Sequence, residues 1–247
     1  MPTFLANGGL HCFAHVPKCA GTTVEHHLAQ RFGPLGMMGN HPLVPVSLQH
    51  LTWADLEAFC VPGQILSSFA LVRHPLTRFV STYNMRVAQV SPPFPRDVTL
   101  EDFADWVAAR LPVSAMLLDN HLRPQVDFLG PDTRLFRLED GLDPVIAWLD
   151  AQFGPCEAAA PLGHERHRPD ETAALFDTVS EVPPRVLETV GRLYAADFER
   201  LGYDMATAPV QKVLRLKPGQ ARPVERTLWR LRAALVSAIR SRRHGRA

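Results

Sequence analysis

The sequence predicts an α/β protein, a parallel sheet with helices on its faces, and three observations carry that expectation. A short apolar run, a loop and a helical pattern follow one another at residues 10–32. The same grammar returns at 65–89, and a third strand-like segment at 134–140 again leads into a helical pattern. Repeated strand-loop-helix units build a sheet whose strands run the same way, because each helix returns the chain to the edge from which it left.

LHCFAHV (10–16) reads as the first strand, and Pro17 closes it. The helix after it, TTVEHHLAQRF, starts at a threonine able to cap it and places Val24, Leu28 and Phe32 on one face. ILSSFALV (65–72) is β-tolerant throughout, and Pro75 suits the first turn of the helix PLTRFVSTYNMRVAQ. RLFRLED (134–140) is the third strand and GLDPVIAWLDAQF the helix after it. PPRVLETVGRLYAADFERLGY reads as one long packing helix with Leu187, Val190, Tyr194, Phe198 and Leu201 on its stripe. VSPPFPRDV (90–98) and EAAAPLGHERHRPDE (157–171) are loops, either of which would suit a cover over a substrate.

A chain of 247 residues, 46% hydrophobic and 21% charged, fits one large domain better than two small ones. The start carries no basic stretch followed by an apolar run, and no segment approaches the ~20 apolar residues of a membrane span, so a soluble cytoplasmic protein is expected. Cys12, Cys19, Cys60 and Cys156 form no CxxC pair, which argues against a zinc knuckle or a disulfide framework. The formal charge of +1 hides an asymmetry: residues 211–247 hold eleven Lys or Arg and the single acid Glu225. Two regions follow, a globular domain over 1–207 and a basic tail over 208–247. In the tail Leu228, Leu231, Leu235 and Ile239 repeat at helical spacing, a pattern fit for an anionic membrane surface, a partner helix or a polyanion.

Two strings carry chemistry. HVPKCAGTT sets a flexible loop between strand and helix, where backbone N–H groups and the helix dipole cradle an anion; Lys18 adds a cation, and Thr22 and Thr23 add hydroxyls. It is not GxxxxGK[ST], because Lys18 precedes Gly21, and the absence of any GK[ST] disfavours an ordinary P-loop kinase. FALVRHPLTRFVSTY puts Arg73 at a strand end and Ser81 eight residues on, two turns into a helix, so that a guanidinium and a hydroxyl suit one phosphate.

In this order and with this Arg-to-Ser spacing, the two strings resemble the 5′-phosphosulfate loop and the 3′-phosphate motif of sulfotransferases that use 3′-phosphoadenosine 5′-phosphosulfate (PAPS). The resemblance continues through QHLTWADLEAF (49–59), similar to a segment of heparan sulfate 2-O-sulfotransferases, and through DNHLRPQVDFL (119–129) and LYAADFERLGYD (193–204). It covers roughly residues 10–205. Cys19 stands where Thr or Gly is more usual, and His74 where Asp or Asn is common.

The resemblance implies a P-loop-NTPase-like fold and transfer of a sulfuryl group from PAPS to an acceptor hydroxyl, with a carbohydrate as the expected acceptor and no nucleic acid. Lys18, Cys19, Ala20, Gly21, Thr22 and Thr23 would hold the phosphosulfate, Lys18 also serving catalysis, and Arg73 and Ser81 would hold the 3′-phosphate. Among eleven histidines, the resemblance selects His50 as the base that deprotonates the acceptor. His121, with Arg123 and Gln125, is the other candidate base or an acceptor-binding cluster. His26 and His27 read as surface residues. His164 and His167 have metal-like spacing but no Cys or acid pair beside them, and no metal is expected. A non-catalytic nucleotide- or glycan-binding module on the same fold remains the other reading.

Overall fold

The computed structural model describes residues 1–89, 94–95, 97–156, 175–217, 227 and 229. Most of the 90–98 loop, all of the 157–171 segment and nearly all of the tail beyond 217 lie outside them. The chain gathers into two compact units, the first built from Met1–His74, Met116–His167 and Glu199–Gly202, the second from Pro75–Ala115, Arg168–Phe198 and Tyr203–Ala247.

The first unit holds a four-stranded sheet in the order β1 (Thr3–Ala6), β2 (Gly9–Phe13), β3 (Ile65–Val72), β4 (Arg134–Arg137). β2, β3 and β4 run parallel, in the registers Phe13↔Phe69 and Val72↔Arg137, as the repeated strand-loop-helix grammar requires. β1 joins β2 as an antiparallel hairpin. Asn7 and Gly8 turn the chain there with φ of 49° and 74°, the left-handed pair that matches the twist of two adjoining strands. β2 is shorter than the predicted 10–16. Its ladder stops at Phe13, the Ala14 N–H makes a last bond to the Phe69 carbonyl at 2.8 Å, and the chain then leaves the sheet as a loop.

One face of the sheet is aromatic. Phe13 stacks on Phe69 at 5.0 Å, and Trp148 of α5 (Asp143–Phe153) covers Phe69 and Phe136 at 5.2 and 5.9 Å. α1 (Gly21–Phe32) buries Val24 and Leu28 completely, burial worth about 1.5–3 kcal/mol for each side chain, and its Phe32 stacks on Phe4 at 4.6 Å. Arg31 fastens α1 to α5 through Asp150 at 2.6 Å and the carbonyls of Leu149 and Gly154. α2 (Trp53–Phe59) opens with a reciprocal box in which Asp55 N–H donates to Thr52 Oγ1 at 3.1 Å and Thr52 N–H donates to Asp55 Oδ2 at 2.8 Å. Thr52 therefore caps α2, and His50 is left for other work.

The second unit contains α3 (Pro75–Gln89), α4 (Leu100–Arg110), α6 (Pro184–Leu193), the first part of α7 (Ala195–Leu201), and an antiparallel pair of β5 (Phe176–Val179) with β6 (Val213–Leu216). Pro75 is the first residue of α3, as expected. Asn84 grips β6 from both sides, accepting from Leu214 N–H at 2.9 Å and donating to the Lys212 carbonyl at 2.6 Å. β6 thus makes the beginning of the 208–247 stretch part of a sheet. The predicted long helix divides at Tyr194, where φ and ψ of −116° and 26° leave the helical region. Its buried positions are Val186, Thr189, Val190, Tyr194, Asp197 and Leu201, whereas Leu187 and Phe198 of the expected stripe are half-buried. The stripe is rotated because Asp197 turns inward toward Arg78, whose guanidinium lies 5.2 Å from the Tyr194 ring centre. Among the described residues, no helix is long and apolar enough to cross a membrane.

Candidate active site

Leaving β2 at Phe13, the chain folds His15–Ala20 into a tight loop whose Lys18 and Ala20 hold φ of 70° and 60°. α1 begins at Gly21 with Ala20 as its cap residue and no side-chain cap. This corrects the expectation of a capping threonine, since Thr22 and Thr23 already lie within the first turn. That turn carries no acid, so the positive end of the helix is not neutralised from within. Thr23 and Val24 N–H both turn back to the Ala20 carbonyl, at 3.1 and 3.3 Å, and the positive end of the helix dipole faces the loop, the usual setting for an anion seat. Lys18, Thr22 and Thr23 lie in this loop and first turn, each half-buried.

Gly21 is required by its neighbour. A β-carbon there would stand 2.1 Å from Nε2 of His15. The His15 ring is pinned by Glu25, whose carboxylate is 2.5 Å from Nδ1, and both side chains are buried. Burial lowers the His15 pKa, and the Glu25 hydrogen bond and charge only partly oppose it, so the ring is a neutral imidazole donating from Nδ1. Gly21→Ala is expected to destabilise the protein by about 1–3 kcal/mol through this clash, read as a lower melting temperature together with weaker binding of anionic ligands.

Arg73 follows the last residue of β3, where the ladder to β4 has ended. Its Nη1 lies 3.4 Å from the Lys18 carbonyl, which brings the guanidinium to the loop. Its backbone is held by Gln125, which accepts from Arg73 N–H at 2.9 Å and donates to the Arg73 carbonyl at 2.8 Å. Gln125 was expected at the acceptor. It is instead fully buried with both ends of its amide on Arg73, and Cys19 Sγ donates to the same Oε1 at 3.6 Å.

The third component is a dyad. His50, at the end of a short 3-10 turn, places Nδ1 at 2.7 Å from Asp119 Oδ2. Asp119 also accepts from the backbone N–H of Ser47 at 2.6 Å and from its hydroxyl at 2.8 Å. Burial pushes the Asp119 carboxyl up, but the hydrogen bonds from His50 and Ser47 outweigh it and hold the group well below the usual carboxylate range. An ionised Asp119 favours the arrangement in which Nδ1 of His50 carries the proton it donates, with Nε2 on the far side of the ring. Leu118, Asp119 and Asn120 are all left-handed, with φ of 51°, 61° and 60°. Such a turn costs roughly 1–2 kcal/mol per ordinary residue and less for Asp or Asn. Asn120 helps to hold it by donating from Nδ2 to the His50 carbonyl at 2.8 Å.

His15, His50 and His121 form a file of rings, each meeting the next edge to face at 4.9 Å. The file links the loop to the dyad and the dyad to the 119–129 segment. His50, Asp119 and His121 each offer a ligand atom, all within 4.8 Å of one another, so a cation could bridge them. Doing so would strip Asp119 of bonds that now orient His50. Arg123 pairs with Asp127 at 2.8 Å, and both are partly exposed. Ser81 lies on α3 in the second unit, half-buried.

A family model described as the sulfotransferase family matches residues 11–204. The chain belongs to the sulfotransferase family. The matched span runs from β2 through the loop, Arg73 and the dyad to the end of α7, and stops before β6. No curated protein and no solved structure matches this sulfotransferase. Of the residues that matter here, Asp119 was missed, as was the His15–Glu25 pair. The DNH string contained Asp119, but only the folded chain brings it to His50, 69 residues away.

Proposed function

We propose that this sulfotransferase moves the sulfuryl group of PAPS to a hydroxyl of a carbohydrate or glycoconjugate. The observation that carries the reading is the convergence, within one compact unit, of an unneutralised helix start with Lys18, the Arg73 guanidinium and an oriented His–Asp dyad. An anion seat supports donor binding, and a base with a free lone pair beside it supports hydroxyl activation.

In this reading Nε2 of His50 takes the acceptor proton as the acceptor oxygen forms its bond to sulfur. The bond between sulfur and the bridging oxygen breaks in the same passage, and its electron pair departs with the 5′-phosphate of adenosine 3′,5′-bisphosphate. The transition state of such transfers is loose, so positioning and charge stabilisation do most of the work. Lys18 meets the charge growing on the bridging oxygen, and the N–H groups of Cys19, Ala20 and Gly21 with the hydroxyls of Thr22 and Thr23 hold the phosphosulfate. Arg73 serves the 3′-phosphate, and the sequence motif adds Ser81 to it. His121 and Arg123, next to the dyad, serve the acceptor. The basic stretch beyond β6 serves contact with an anionic surface.

Calorimetric titration with adenosine 3′,5′-bisphosphate, and with adenosine 5′-monophosphate as control, tests the donor side without knowledge of the acceptor. Binding that depends on the 3′-phosphate is expected. Arg73→Ala should weaken it about 10- to 100-fold, the equivalent of charge-assisted bonds worth roughly 1.5–3 kcal/mol. Equal affinity for the two nucleotides would remove PAPS as the donor.

A further inference from the structure

The position of Gln125 has no counterpart in the roles assigned above. It sits in a short 3-10 turn (Gln125–Phe128), its side chain is fully buried, and its amide faces the peptide groups of Arg73 with one bond in each direction. This is the hydrogen-bond pattern of one further rung of sheet, supplied by a side chain at the point where the β3–β4 ladder has ended at Val72↔Arg137. Without it, Arg73 N–H and C=O would be left in a partly buried site with no strand beside them, a condition folded chains avoid. The same carbonyl oxygen accepts from Cys19 Sγ, in the loop 106 residues earlier in the chain.

We infer that Gln125 is a positioning residue that sets where the Arg73 guanidinium stands relative to the Lys18–Gly21 loop, and that it thereby sets the preference of the site for a nucleotide bearing a 3′-phosphate. The inference rests on the donor reading proposed above. Two parallel bonds fix the peptide planes on both sides of the Arg73 α-carbon, which leaves the side chain few directions in which to leave the strand end. The contact with Cys19 ties that direction to the loop, so the distance between the two anion-binding groups is held by one buried amide. Arg73 Nη1 at 3.4 Å from the Lys18 carbonyl is the outcome. The bonds also explain why a long, uncharged amide stands here. A glutamate would keep the acceptor for Arg73 N–H but turn a second oxygen against the Arg73 carbonyl, and a leucine would satisfy neither group.

The test is the ratio of affinities for adenosine 3′,5′-bisphosphate and adenosine 5′-monophosphate, measured by calorimetry on the full chain, in the wild type, Gln125→Leu and Gln125→Glu. Melting temperatures are taken alongside. Loss of the positioning amide is expected to reduce the ratio about tenfold, in the range seen when groups behind a ligand-binding residue are removed, while affinity for the monophosphate stays within about twofold. A residue that merely stabilised the fold would lower both affinities together and leave the ratio unchanged, and that result overturns the inference. Should Gln125→Leu fail to fold, the nearly isosteric Gln125→Glu carries the test with the same expected direction. A wild-type protein with no preference for the 3′-phosphate overturns the donor reading and this inference together. A wild type that discriminates, with Gln125 variants that discriminate equally, overturns the inference alone.

Discussion

His50→Ala is expected to lower kcat by about 10²- to 10⁴-fold, the usual contribution of a positioned general base, while adenosine 3′,5′-bisphosphate binds as tightly as before. The two outcomes separate because Asp119 and Asn120 attach His50 to the left-handed turn, whereas the anion seat is built from the start of α1 and from Arg73. Asp119→Asn offers a finer probe. It keeps the size of the side chain but removes the charge that fixes the His50 tautomer, so it should lower kcat in the same direction with little change in donor affinity. Steady-state kinetics with an acceptor found by screening, together with calorimetry for the donor product, check both. If His121→Ala shows the His50→Ala phenotype and His50→Ala does not, the base is His121.

Lys18→Ala is expected to lower kcat by about 10²- to 10³-fold, the cost of removing one group that meets charge developing in a transition state. The loss should fall on kcat more than on the donor KM, because Arg73 and the α1 amides remain to bind the ground state. Lys18 occupies a left-handed position with φ of 70°, so any replacement other than glycine or asparagine keeps the same backbone strain. Alanine therefore removes the ammonium without freeing the loop. Single-turnover measurements with saturating donor distinguish slower chemistry from weaker binding. A variant whose defect disappeared at saturating donor would reassign Lys18 to binding alone.

The residues proposed for the donor could be singled out in the sequence because they lie in two contiguous strings. A strand, a lysine, a glycine and a helix occupy one short stretch, and β3 with Arg73 occupies another. The part proposed for the acceptor is made by contacts far apart in sequence, and there the strings misled. Gln125 stands among His121 and Arg123 and was grouped with them, but a buried 3-10 turn sends its amide to Arg73. The pairing of His50 with Asp119 depends on three successive left-handed residues; Asp and Asn tolerate that conformation singly, but Leu-Asp-Asn does not announce a run of three. Other omissions did leave a signal. Asn7-Gly8 is the favoured dipeptide for the hairpin of β1 and β2, and Thr99 with Asp102 forms a capping box before α4. The antiparallel pair of β5 and β6 gave little to read, since its four-residue strands lie more than thirty residues apart.

The excursion of the chain between β3 and β4 has a consequence for how the protein is made. β3 ends at Val72 and its parallel neighbour begins at Arg134, and the residues between include all of α3 and α4. A ribosome therefore completes the His15–Gly21 loop and Arg73 long before it releases Asp119, Gln125 and β4. During that interval the edge of β3 has no partner and Arg73 has no amide to hold it. Contacts of such long range form slowly, and an unpaired edge invites pairing with another nascent chain. A truncation before Arg134 would keep the most recognisable part of the sequence yet yield an incomplete sheet, so the shortest chain worth expressing for nucleotide binding is set by β4 and α5 rather than by the motifs.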